Sequence, residues 1–114
     1  MDNQSPTCFE RLNHISEAAG KIIKFCDNID EQEFIKNEIL NSSVLYQFII
    51  IGEAIQSVDA EILNKYPYQW HLPRSFRNYV AHEYFGINLK QVYRTVRVLL
   101  PEFKILIDRI IDEY

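Results

Sequence analysis

Glycine and proline are scarce in this chain, at 3 and 4 of 114 residues. So few turn formers argue against a loop-rich or turn-dense β fold. Cysteine is nearly absent, represented only by Cys8 and Cys26. On a single helix that separation amounts to about 27 Å, far beyond the reach of a disulfide. Long apolar runs are missing too. The longest, Phe48 to Ile51, falls well short of the ~20 residues a membrane-spanning helix needs. No charged-then-apolar leader opens the sequence. These absences make a reducing cytoplasm the expected compartment, with no membrane contact. No repeat, low-complexity tract or flexible linker divides the chain, so residues 1–114 read as a single domain.

What is present is apolar and helical. A hydrophobic share of 47% and an aromatic share of 13% suffice for one core and exclude a disordered chain. Ser5-Pro6 reads as a helix cap followed by proline at the first helical position. Phe9, Leu12, Ile15, Ala19, Ile22, Ile23 and Cys26 then recur at three- and four-residue intervals. The Asp27 to Asp30 stretch breaks this stripe, and Asp30 with Glu33 resembles a capping box. A second helical region is expected to run to about Val58, interrupted near Asn41-Ser42-Ser43. It is apolar on several faces, which calls for more than one neighbour. Gly52 inside it costs roughly 1 kcal/mol relative to alanine, a cost that close helix packing would offset. Tyr66 to Pro73 reads as a loop, followed by a short helix from Pro73 to Tyr84 that stops at Gly86. Asn88 and Gln91 cap a last helix carrying Val92, Val96, Leu99, Leu100, Phe103, Leu106, Ile107, Ile110 and Ile111, with a kink or restart at Pro101. The expected fold is all-α: an antiparallel four-helix bundle with an additional short helix.

The formal charge of −4 argues against a general nucleic-acid coat protein, but it hides its own distribution. Residues 1–69 hold five Lys/Arg against eleven Asp/Glu, a balance of −6. Residues 70–100 hold Arg74, Arg77, Lys90, Arg94 and Arg97 against Glu83 alone, a balance of +4. The remaining residues contribute −2. Four of the five central cations are arginines, whose planar fork suits phosphate. Arg74, Arg94 and Arg97 are therefore candidates for contact with phosphates such as those of a nucleic-acid backbone, against the plainer reading that they pair with acids of neighbouring helices.

The densest chemistry lies in Arg77-Asn78-Tyr79-Val80-Ala81-His82-Glu83-Tyr84. On a regular helix His82 sits about 140° around from Arg77; a helix ending near here and the length of arginine permit the two to reach a common cleft. Spacing alone carries little weight here. The longer stretch Leu72-Pro73-Arg74-Ser75-Phe76-Arg77-Asn78-Tyr79-Val80-Ala81-His82-Glu83-Tyr84-Phe85-Gly86-Ile87, however, resembles the signature of HepT-like proteins, a branch of the HEPN superfamily of helical ribonucleases. Arg77, Asn78, His82 and Tyr84 match its Arg, polar, His and Tyr positions. Ile50-Ile51-Gly52-Glu53-Ala54-Ile55 is similar to the family's Ile-Gly-Glu-Ala segment, and Leu99-Leu100-Pro101-Glu102-Phe103 to its Leu-Pro step. Arg11-Leu12 with His14-Ile15 extends the likeness over most of the chain. Ser75-Phe76 departs from the Gly-Leu that more often precedes Arg-Asn.

The resemblance implies a homodimer in which two Arg-x4-His elements line one cleft on the twofold axis and cleave RNA without a metal or other cofactor. Arg77 and His82 are then the catalytic pair, with Asn78 supporting the phosphate or His82. It further implies a type VII-like toxin–antitoxin system, in which a minimal nucleotidyltransferase of the MntA type uses ATP to attach AMP to Tyr84. The alternative is a non-catalytic helical module that binds nucleotide or RNA, or docks the nucleotidyltransferase. No His/Cys cluster has zinc-ligand spacing, and no glycine-rich phosphate loop is recognisable. His14 reads as structural or surface, and His71 as packing beside Trp70. Glu53 needs a partner if buried, an arginine near the cleft being one candidate.

Overall fold

The structure, a computed structural model, describes residues 7–114; the Ser5-Pro6 cap lies outside the described residues. Helix α1 (Cys8–Phe25) starts on Thr7. The Thr7 hydroxyl accepts from the Glu10 main-chain N–H at 3.1 Å, and Thr7 N–H donates to the Glu10 carboxylate at 2.8 Å. That reciprocal pair satisfies two otherwise orphaned donors, and the Thr7 amide holds the Glu10 carboxyl below its ordinary range. Asn28 turns the chain after α1 with φ of 60°, a left-handed conformation that asparagine tolerates better than most residues.

Helix α2 (Glu31–Lys36) is capped by Asp30, and α3 spans Glu38–Ile55. The interruption therefore falls at Asn37, not at Asn41-Ser42-Ser43. Asn37 ends α2 and also caps α3, accepting from the Leu40 N–H. Asn41 is buried inside α3, where its amide donates to the carbonyls of Phe34 and Ile35. Asn41, read as part of a break, thus serves the end of the preceding helix, while Ser43 donates back to the Ile39 carbonyl within α3. α3 also stops at Ile55, short of Val58. It alone among the described helices has the length and apolarity of a membrane span, and half of it is buried within the fold.

A single turn, α4 (Ala60–Leu63), precedes α5 (His71–His82). α5 begins earlier than Pro73, inside the stretch read as a loop, and the chain leaves it through a 3₁₀ turn at Tyr84–Gly86. The last long helix consists of α6 (Leu89–Arg94), a π-helical turn at Thr95–Leu99, and α7 (Leu100–Glu113). Asn88 caps α6 as expected, accepting from Gln91 N–H at 3.2 Å. The π turn follows from Pro101. Proline has no N–H to return and crowds the carbonyl four residues back. The helix widens into the π turn, where Leu100 N–H bonds the Thr95 carbonyl, and restarts as α7 with Pro101 in its first turn, the restart expected there.

α1 packs on α3 and α7, and α3 packs on α5, giving an all-α helical bundle with no strand among the described residues. Leu12, Ile15, Ile22, Phe34, Val44, Val80, Val92, Ile107 and Ile110 are fully enclosed. Phe9, Ile23 and Leu99, expected in the core stripes, are instead exposed. Arg97 ties the far end of α1 down: it donates to the carbonyls of Cys26 (2.7 Å) and Ile29 and to the Tyr93 hydroxyl (2.9 Å). Burial raises the pKa of the Cys26 thiol above its ordinary value, although nearby Arg97 opposes the shift.

Candidate active site on helix α5

Helix α5 is held at its start by rings. The Trp70 indole N–H donates to the carbonyls of Leu63 (3.0 Å) and Tyr66 (3.1 Å), and Trp70 stacks against Tyr68 and Phe103. His71 is not part of this packing; it is exposed as the first residue of α5. At the other end the Tyr79 hydroxyl accepts from Asn88 N–H at 2.8 Å, which fixes the path into α6. Between these anchors α5 lies against α3, with Phe76 edge-on to Phe48 at 4.8 Å.

The contact is closest at Gly52. A β-carbon placed there would stand 2.1 Å from Arg77 Cβ, 2.6 Å from its Cγ and 3.1 Å from the Pro73 carbonyl oxygen. Only a residue without a side chain lets the two backbones approach this far. Gly52 therefore fixes where the stem of Arg77 runs, along the surface of α3.

The Arg77 guanidinium is then pinned from two sides. Nη2 lies 3.1 Å from the Glu53 carboxylate, and Nη1 donates to Asn78 Oδ1 at 3.0 Å. Glu53 is itself about half exposed, so the pair contributes at most about 1 kcal/mol to stability. Its main consequence is orientation: the fork is held at the edge of α5 with its charge intact. Asn78, whose expected contact was phosphate or His82, spends its side-chain oxygen on Arg77. Arg77 Nε is enclosed, with no partner among the described residues.

His82 is the last residue of α5 and is exposed. Within this one chain it makes no hydrogen bond or ion pair to Arg77 among the described residues. At 3.6 residues per turn, Arg74, Asn78, Ala81 and His82 occupy one sector of the helix, and all four are exposed. Arg77 points elsewhere from its Cα, yet its Asn78 bond brings the guanidinium back towards that sector. The structure thus places Arg74, Asn78 and His82 on one open face, with the Arg77 guanidinium at its edge beside Asn78. Tyr84 stands just past it in the 3₁₀ turn, half-exposed, its ring edge-on to the fully exposed Phe85 at 5.5 Å.

The other two arginine candidates lie apart, on the α6 and π segment. Arg94 is exposed, whereas Arg97 is engaged with main-chain carbonyls rather than with acids. No group of three or more His, Cys, Asp or Glu side chains is arranged for a metal among the described residues. Sequence reasoning missed an apolar groove of about 360 Å³ between α5 and the π turn. Its only trace in the sequence was Leu99, an apolar residue of the predicted core stripe that ends up exposed beside the groove.

Comparison with known proteins bears on this site. Curated relatives include two Methanocaldococcus jannaschii proteins named "Putative RNase MJ1216" and "Putative RNase MJ1380". The first is 32% identical over 90% of this chain and 85% of its own length; the second is 33% identical over 82% and 86%. "Probable ribonuclease HepT" of Thermococcus cleftensis is 27% identical over 82% of this chain and 86% of its own. No solved structure matches. The family model described as "Ribonuclease HepT-like" matches residues 15–110, a span that takes in Gly52, Glu53 and the whole of α5. With its helical fold and this match, the chain belongs to the HepT-like ribonuclease family of the HEPN superfamily.

Proposed function

We propose that this chain is a metal-independent endoribonuclease, the toxin of a type VII-like toxin–antitoxin pair acting in the cytoplasm. The observation that carries the reading is Arg77 held by Glu53 and Asn78 at the edge of the open α5 face that His82 shares. Two copies related by a twofold axis, α5 against α5, bring two such pairs to one cleft, an isologous arrangement. An RNA 2′-hydroxyl then attacks its adjacent phosphorus. One His82 takes the 2′-hydroxyl proton, and the His82 of the second copy gives a proton to the departing 5′-oxygen. The 2′-O–P bond forms as the P–O5′ bond breaks, leaving a 2′,3′-cyclic phosphate and a 5′-hydroxyl. Arg77 meets the charge that gathers on the non-bridging oxygens. Arg74 extends the positive face along the RNA backbone.

The purified chain is expected to cut RNA with EDTA present, and Arg77→Ala to lose that cleavage. RNA bound but uncut by the wild-type chain, in EDTA and in added divalent metal alike, would instead make it a binding module.

Tyr84 is the expected point of control. A nucleotidyltransferase partner would transfer AMP from ATP to its phenol oxygen and release pyrophosphate. The half-exposed ring supports access, and the added anion and bulk beside Arg77 repel RNA. Mass spectrometry after coexpression with such a partner should find one AMP on Tyr84. Suppressed activity with Tyr84 unmodified would make the inhibition steric.

A further inference from the structure

α5 has a second long side, turned away from the Arg77–His82 face. Leu72, Ser75, Phe76 and Tyr79 form one wall of the apolar groove, and Thr95 and Leu99 of the π turn form the other. Phe48 and Phe103 lie at its base. The groove exists because α5 rests on α3 and hardly touches α7. Its volume of about 360 Å³ falls in the range of small-ligand sites, roughly 300–1,000 Å³. One wall is a π-helical turn, a local geometry that recurs at functional sites.

A second, shallower groove runs along α6. Lys90, Arg94 and Arg97 make it cationic, with Glu31 as its one acidic member. Gln91 lines both grooves, so the cationic track lies next to the aromatic one, across that side chain. Aromatic faces beside a cationic track are what single-stranded nucleic acid requires: rings for bases, cations for the phosphates between them. An acyl chain would use the apolar walls but not the cations. A base also uses the polar rim, since Ser75, Thr95 and the Gln91 amide offer donors and acceptors to its edge. Burial, reinforced by Glu102, pushes the Tyr68 phenol above its ordinary range, so this groove residue stays neutral.

We propose that the aromatic groove holds one unpaired base of a single-stranded RNA whose flanking phosphates lie on Lys90 and Arg94. This rests on the ribonuclease reading above and gives its substrate a class: unpaired RNA, since a duplex keeps its bases stacked out of reach. The same chain that crosses the α5 face would leave it along α6.

Trp70, the only tryptophan, packs tilted on the groove residue Tyr68 (4.7 Å) and edge-on to Phe103 (6.4 Å), and through them its emission reports occupancy. The probe is a 2′-O-methyl octanucleotide, which cannot be cut by 2′-hydroxyl attack. It is expected to change Trp70 emission saturably when single-stranded, and to bind about ten-fold more weakly as a blunt duplex. Leu99→Glu and Ser75→Phe at the rim should each weaken single-strand binding about ten-fold. Arg94→Glu should do the same and flatten the salt dependence. Lys21→Glu, the same charge change on exposed α1, should leave binding unchanged. Equal affinity for strand and duplex, or wild-type binding by Ser75→Phe and Leu99→Glu with helical circular dichroism intact, overturns the groove assignment. So does a dimer that falls apart in both Ser75→Phe and Leu99→Glu, which would mean a second copy fills the groove. Unmodified RNA separates this from the parent reading. Cleavage that survives Ser75→Phe with binding unaltered sinks the groove alone, whereas groove-dependent binding without any cleavage supports the groove and sinks the nuclease.

Discussion

Gly52→Ala is expected to lower RNA cleavage by about 100-fold while leaving the chain helical. The added methyl would stand 2.1 Å from Arg77 Cβ, and neither atom can yield by rotating a side chain. Pro73, whose carbonyl oxygen lies 3.1 Å from the same point, belongs to the backbone of α5. Relief therefore requires α5 to lift from α3 and carry Arg77 away from Glu53. A misplacement of about 1 Å at a catalytic group can cost on the order of 10²-fold in rate. Stability moves less, because overpacking costs about 1–3 kcal/mol and alanine returns about 1 kcal/mol of helix propensity. Circular dichroism and a cleavage assay on the same preparation separate the two effects. Unchanged cleavage would mean that α5 does not seat on Gly52.

The second large effect belongs to His82. A side chain that moves the proton in the transition state contributes typically about 10²–10⁴-fold, so His82→Ala should fall in that range. The loss should come without a loss of stability, since His82 is exposed and supports no packing. Thermal melting should superimpose on the wild type. A lowered melting point would instead tie the lost activity to unfolding.

Much of this was legible in the sequence because the signals are local. The α1 and α7 stripes repeat every three or four residues, and their buried members, such as Leu12, Ile15, Ile107 and Ile110, form the core. Gly52, inside an apolar helix, marked a close helix contact that proves to be α3 against α5, and Glu53 found its arginine. Other features depend on contacts that no local window contains. The α2–α3 break was misplaced because Asn37 and Asn41 are the same residue type, and only burial makes one a cap and the other an interior strut. The proline at position 101 announced the restart at α7 but not the π turn that precedes it. Phe9, Ile23 and Leu99 fit the helical period yet are exposed, since period assigns a face and not its depth. Arg97 looked like a phosphate ligand, and its hydrogen bonds to Cys26 and Ile29 span about 70 residues of sequence. The groove beside α5 arises where two helices fail to meet, and its trace in the sequence, Leu99, fits a core stripe equally well.

The acidic total also reads differently once folded. The positive residues of 70–100 fall on the α5 face and along α6, while most of the negative charge lies in other segments. Such a layout favours a polyanion at one place on an otherwise repelling surface.

The most direct test is end-group analysis of RNA incubated in EDTA with wild type, Arg77→Ala and His82→Ala. The account predicts 2′,3′-cyclic phosphate and 5′-hydroxyl ends from the wild type, and about 10²-fold or more loss from each variant. Cleavage by His82→Ala at the wild-type rate, or 5′-phosphate ends that appear only with added divalent metal, would contradict it.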